Sequence, residues 1–288
     1  MCTPILLTDA KFIVTPIGLR LENGASSQGQ TAAGAAATPH PGGALSALAL
    51  NRNRNRNRNR NRNRNRNRSS FKINTGVLLQ EPWQEREILH KALEDWIDLP
   101  IARPPGPEQL RQECVDLLKK QYLLHQPEGA SRQAEILTEA NLELSGYLKP
   151  LGLQEGSSFG ATEALFHLIL ALTDEIGLRY KARFDVLRPN QIEPRLRPFL
   201  PNPNHASYPS NHSFQSFSVA FMFSRMLPEH PASSELFRSA RRIAENREWA
   251  GLHYASDTRA GHQLARMITP ILEIACKEQM FAAVSEWI

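Results

Sequence analysis

Thr162-Glu-Ala-Leu-Phe-His-Leu-Ile-Leu-Ala-Leu-Thr-Asp-Glu-Ile-Gly-Leu-Arg-Tyr180 is strongly apolar through its middle. It is longer than the about eight residues of an ordinary buried strand, so it predicts a core helix. Its best apolar run, Ala164 to Leu172, contains His167 and is closed by Asp174. A bilayer-spanning helix needs about 20 apolar residues, so no transmembrane segment is expected.

Helical spacing continues on both sides of this stretch. Pro82 to Ile97 carries Trp83, Ile88, Leu89, Leu93 and Trp96 at helical intervals, with Pro82 at a first turn. Pro107 to Leu124 follows a proline-rich turn, and a third helix is expected from Ser131 to Leu148. On the C-terminal side, a proline-rich loop from Arg188 to Pro209 precedes helices at Ser213 to Met226, Ser233 to Trp249, and Tyr254 to the C-terminus. No strand pattern emerges after residue 80. The expected fold class is all-α, a single helical bundle with one long loop, and loops of that length are usually functional or disordered.

Residues 1–70 differ in kind. Gly24 to Leu50 is rich in Gly, Ala, Ser, Thr and Pro, and Asn51 to Arg68 repeats Asn-Arg nine times. Such composition buries too little apolar surface to offset chain entropy, so a disordered, low-complexity segment is expected there, with 71–288 as the helical catalytic domain. Strand pieces near Ile5 and at Phe12 to Val14 have little support in the pattern. The repeat also distorts the charge balance. The formal net charge is +5, but nine of the 34 basic residues lie in the repeat, and the remaining 25 face 29 acidic ones. Nucleic-acid binding by the repeat is not expected, because no aromatics interleave to stack bases.

The three cysteines, Cys2, Cys114 and Cys276, are far apart and lack metal-ligand spacing, so neither a disulfide framework nor a zinc site is expected. Ile5-Leu6-Leu7 is followed at once by Asp9 and Lys11, so no signal-peptide core forms and a cytoplasmic location is expected.

Three segments carry chemistry: Lys181-Ala-Arg-Phe-Asp-Val-Leu-Arg188-Pro189, Tyr208-Pro209-Ser210-Asn211-His212, and Arg247-Glu-Trp-Ala-Gly251-Leu-His253-Tyr-Ala-Ser-Asp257. Each alone has an ordinary reading: a solvated basic loop, a helix-cap neighbour, a surface His–Asp pair at i and i+4. Together they supply three cations, two histidines and a carboxylate, the set that phosphoryl transfer requires. Lys181, Arg188 and Arg247 would clamp a tetrahedral dianion. Ser210, Asn211 and His212 open a helix, whose free N–H groups form an anion cradle. His253 and Asp257 are expected on one helix face, the carboxylate fixing one ring N–H and leaving the other nitrogen free to attack phosphorus. His212 remains to protonate the leaving oxygen. His205, in the loop before the second segment, could line the same site.

Lys-x6-Arg-Pro, Pro-Ser-x-His and Arg-x5-His-x3-Asp, in this order, resemble the motifs of the type-2 phosphatidic acid phosphatase superfamily. That group includes class A acid phosphatases, membrane lipid phosphatases and vanadium-dependent haloperoxidases. Gly251 and Gly261 are further points of similarity, and the likeness extends over roughly residues 75–285. Two positions depart from it: Asn211 stands where Gly is usual, and Asn246 where Ser is usual. Asn tolerates unusual backbone angles and keeps its N–H, so the oxyanion contact is expected to survive.

The resemblance implies a metal-independent phosphomonoester hydrolase that forms a phosphohistidine on His253, with His212 as acid and a small phosphorylated substrate. It leaves open an alternative, a vanadate-dependent haloperoxidase using the same site, in which vanadate would be the cofactor. A homo-oligomer is compatible with the sequence.

Overall fold

The computed structural model describes residues 12–15, 18–21, 82–140, 144–154 and 158–288. The chain divides into two units, Met1–His40 and Pro41–Ile288. In the first, β1 (Phe12–Thr15) pairs antiparallel with β2 (Gly18–Leu21), Phe12 opposite Leu21 and Thr15 opposite Gly18. The strand piece raised at Phe12 to Val14 falls within β1, and apart from this hairpin the segment expected to be disordered lies outside the described residues. Phe12, Ile13, Val14 and Thr15 are all residue types that favour strands. The Asn-Arg repeat and Cys2 lie outside the described residues.

In the second unit all regular structure among the described residues is helical. The helices are α1 (Trp83–Lys91), α2 (Leu93–Trp96), α3 (Pro107–Leu124), α4 (Ala130–Ala140), α5 (Ser145–Leu148) and α6 (Gly160–Phe184). They continue with α7 (Pro189–Ile192), α8 (Asn211–Met226), α9 (Ser233–Trp249), α10 (Ala255–Ala275) and α11 (Lys277–Val284). Short 3-10 turns occupy Pro127–Gly129 and Lys149–Leu151.

Residues 141–143 lie outside the description, and in the rest of the expected helix Ser131 to Leu148 the described residues form α4 and α5. Their apolar residues serve different clusters. Ile136 packs with Leu124, Leu200, Ala250 and Leu252, whereas Leu144, Tyr147 and Leu148 join the main core. The expected C-terminal helix also divides, at Cys276, whose buried side chain sits in that core between α10 and α11. Cys114 and Cys276 are both buried free thiols.

The bundle is built around α8, which packs against α6, α9 and α10. Phe214, Val219, Met222 and Phe223 bury its apolar surface, and Ser213, Ser216 and Ser218 let neighbours approach closely. The Ser216 hydroxyl donates to Ala240 of α9 at 3.1 Å, and that of Ser213 to Thr258 of α10 at 2.7 Å. The opening of α6 is capped from the far end of the chain. The Glu286 carboxylate accepts from Ala161 N at 2.7 Å and Thr162 N at 2.8 Å, meeting both the free amides and the positive end of the helix. No described helix is long and apolar enough to cross a membrane.

Gly261 allows α10 to touch the first turn of α8. A Cβ there would lie 2.5 Å from the Ser210 carbonyl oxygen and 2.9 Å from Phe214 N. Both neighbours are backbone, so neither can swing aside. Gly261→Ala is expected to cost about 1–3 kcal/mol, as overpacking does. Thermal denaturation checks it; an unchanged Tm would show that the helices can part freely.

Candidate active site

The three sequence segments converge through α6, the loop after it, and the turn between α9 and α10. Lys181 lies in the last turn of α6, which Asp185 ends with φ 44°. Its side chain is 1% exposed. Nζ donates to three carbonyls of the loop: Ala206 at 3.1 Å, Ser207 at 2.8 Å and Pro209 at 2.5 Å. Lys181 therefore holds the second segment in place as well as bringing charge to it.

Arg188 takes an extended backbone ahead of Pro189, which opens α7. Its guanidinium is almost fully buried. One Nη donates to Leu252 O at 2.8 Å and lies 3.1 Å from His253 Nε2. The other lies 3.1 Å from both Ala206 O and His205 Nδ1. His205 thus joins the site.

His253 does not share a helix face with Asp257, as the four-residue spacing had suggested. Gly251, at φ 71°, turns the chain out of α9 and places His253 ahead of α10, with Tyr254 as N-cap. Asp257 lies in the first turn of α10, and its carboxylate reaches back to the cap. One oxygen, Oδ2, accepts from Tyr254 N at 3.2 Å, from His253 Nδ1 at 2.8 Å and from the Ser207 hydroxyl at 2.5 Å. The spacing still brings His and Asp together, through a capped turn.

These contacts fix the tautomer. A guanidinium only donates, so His253 Nε2 facing Arg188 must be an acceptor. The ring proton then sits on Nδ1, where Asp257 receives it. Burial first, then the charges of Arg188, Lys181, His212 and His205, holds the His253 pKa well below the usual histidine range. The ring is therefore neutral, with the Nε2 lone pair available. Burial pushes the Asp257 carboxyl up to about 6, against the Ser207 hydrogen bond, the Lys181 charge, the Tyr254 amide and the Arg188 charge.

Ser210 caps α8, accepting from Ser213 N at 3.4 Å, and its own N–H donates to the Asp257 carbonyl at 3.0 Å. Asn211 and His212 form the first turn of α8, His212 half-buried and among the charges that act on His253. The Asn211 side chain turns onto α6. Its Nδ2 donates to Asp174 at 3.3 Å, and its Oδ1 would stand 2.0 Å from a Cβ on Gly177. Gly177 supplies the room that a side chain at position 211 needs.

Arg247 is placed differently. It is 1% exposed, and its Nη2 donates to Ile136 O at 3.2 Å and to the Glu139 carboxylate, both on α4. Asn246 reinforces this grip, donating to Glu139 at 2.6 Å and to Glu135 at 3.1 Å. A buried guanidinium without a partner would be strongly unfavourable, and Glu139 neutralises it here. Lys181, Arg188, His253 and Asp257 are thus drawn together, while the Arg247 guanidinium pairs with Glu139 of α4.

Among the described residues, no group of three or more His, Cys, Asp or Glu is placed to hold a metal ion. Ser207 and Glu139 escaped the sequence reading, and the sequence holds little that would mark either. Ser207 stands two residues before the second motif's Pro209, and Glu139 lies 108 residues from Arg247.

No protein-family model matches the chain, and no curated protein matches it. Solved structures do match. One is the first transmembrane PAP2-type phosphatidylglycerolphosphate phosphatase from Bacillus subtilis, at 13% identity and a TM-score of 0.31. The match covers 60% of this chain and 96% of that one.

Proposed function

We propose that the chain is a phosphomonoester hydrolase that works through a phosphohistidine on His253. The observation that carries this reading is the His253–Asp257 pair, with Nδ1 held at 2.8 Å and Nε2 turned toward the buried Arg188 guanidinium. The motif resemblance to the type-2 phosphatidic acid phosphatases supports the same reading.

The chemistry follows from these contacts. A substrate phosphoryl group enters between Nε2 and the cations, and Arg188 transfers its N–H donation from Nε2 to the phosphate oxygens. Its planar donors suit two of those oxygens at once. Lys181 adds positive charge nearby, and the first amides of α8 face the third oxygen. The Nε2 lone pair forms the N–P bond as the P–O bond to the alcohol breaks. His212 delivers a proton to the departing oxygen. The imidazole, now substituted on Nε2, is cationic, and Asp257 stabilises it. Water, losing its proton to His212, then attacks phosphorus, breaks the N–P bond and releases inorganic phosphate. Arg247 would join the clamp only by leaving Glu139.

Two protonation states set the pH profile. His253 must be neutral and Asp257 ionised for attack, so kcat/KM should rise with pH as the pair sheds its proton, Asp257 being held at about 6. His212 must carry a proton, so activity should fall once that proton is lost. The peak is expected on the acid side of neutrality, and a peak above about pH 9 would contradict the roles.

A paired assay tests the proposal: p-nitrophenyl phosphate hydrolysis in the presence of EDTA, and halide oxidation by peroxide after vanadate loading. Phosphate release is expected. Halide oxidation without phosphate release would replace the proposal with the haloperoxidase alternative.

A further inference from the structure

We infer that Ser207 is a positioning residue for the His253–Asp257 pair, its hydroxyl keeping the carboxylate charged and aimed at the imidazole. This rests on the phosphoryl-transfer reading above and extends it to a residue outside the three motifs.

The geometry is specific. Ser207 is fully buried and pinned at three atoms. Its N–H donates to Val186 O at 2.8 Å, its carbonyl accepts Lys181 Nζ at 2.8 Å, and its hydroxyl donates to Asp257 Oδ2 at 2.5 Å. The same Oδ2 receives His253 Nδ1. Lys181 thus fixes the Ser207 backbone, Ser207 fixes the carboxylate, and the carboxylate fixes the ring. A chain of contacts runs from the end of α6 to the attacking nitrogen without passing through substrate.

The groups facing this carboxylate make the hydroxyl matter. Lys181 of α6, Arg188 ahead of α7, and His253 and Tyr254 ahead of α10 surround it, with Tyr208 beside Ser207. His212 of α8 acts on the pair through His253. Among the described residues, three hydrogen-bond donors reach the carboxylate oxygen Oδ2: the ring N–H, one backbone amide and this hydroxyl. The other oxygen, Oδ1, is buried with no hydrogen-bond partner among the described residues. Removing the hydroxyl takes away one of the three donors that favour the charged form.

The test uses the full-length protein with Ser207→Ala and Ser207→Cys. The thiol matches the hydroxyl closely in shape and is a weak donor. The Asp257 carboxyl is titrated by carbon NMR, which needs no activity. Kinetics on p-nitrophenyl phosphate across pH give kcat and KM. The midpoint of Asp257 should rise by about one pH unit in Ser207→Ala, and by less in Ser207→Cys. The acid limb of kcat/KM should move the same way, with kcat down about 10-fold and KM within about threefold. Should Ser207→Ala not fold, Ser207→Cys carries the test, with the same direction expected. An unchanged midpoint in a folded variant overturns the inference, even if the protein melts earlier. If the wild type hydrolyses no phosphomonoester, the functional proposal fails by itself, and the NMR midpoint still decides whether Ser207 governs the pair.

Discussion

His253→Ala is expected to reduce phosphomonoester turnover by at least about 10³-fold and to abolish the covalent intermediate. The expectation follows from the way the His253 ring is held. His253 is buried among cations that keep it neutral, Asp257 holds its Nδ1 proton, and its Nε2 faces the Arg188 guanidinium. The variant should fold, because His253 sits in a turn ahead of α10 and adds little apolar surface. Circular dichroism would confirm that before turnover is compared. Residual turnover above about one tenth of wild type would remove His253 from its role.

Asp257→Asn is expected to lower turnover by about 10³- to 10⁴-fold with the fold intact, the effect of a reversed tautomer. An amide at this position can present its NH₂ to the imidazole, which then accepts at Nδ1 and carries its proton on Nε2. That proton points at Arg188, itself only a donor, so two donors meet across the 3.1 Å gap. The substitution therefore disables the attacking nitrogen and disturbs the phosphate clamp together. It also removes the charge that stabilises the imidazolium. Steady-state kinetics, with KM separated from kcat, checks this. A kcat within about threefold of wild type would refute the orienting role.

Much of the fold could be read in advance because the signals are local. Pro107 opens α3 at the expected residue, and Met226 and Trp249 end α8 and α9 where the pattern stops. Breaks in the long helices could not be read in this way. The α4–α5 and α10–α11 divisions depend on which cluster each side chain joins, a tertiary property. The same limit applied at the site. The four-residue spacing of His253 and Asp257 predicts a shared helix face, whereas a capped turn after Gly251 brings the two together. Arg247 shows the limit most clearly. Its place in the third motif predicts a phosphate clamp, and the Glu139 carboxylate that pairs with it in this structure is a residue that no local pattern links to it. The Asn211 substitution likewise has its explanation on another helix, in the space above Gly177.

The central claim is that His253 carries the phosphoryl group. Trapping tests it most directly: wild type and His253→Ala are each mixed with a radiolabelled phosphomonoester, acid-denatured at an early time and digested, and the labelled peptide is sequenced. Label on His253 in the wild type, in an acid-labile and alkali-stable linkage, with none on the variant, is the predicted result. Label that persists on the His253→Ala protein would contradict it.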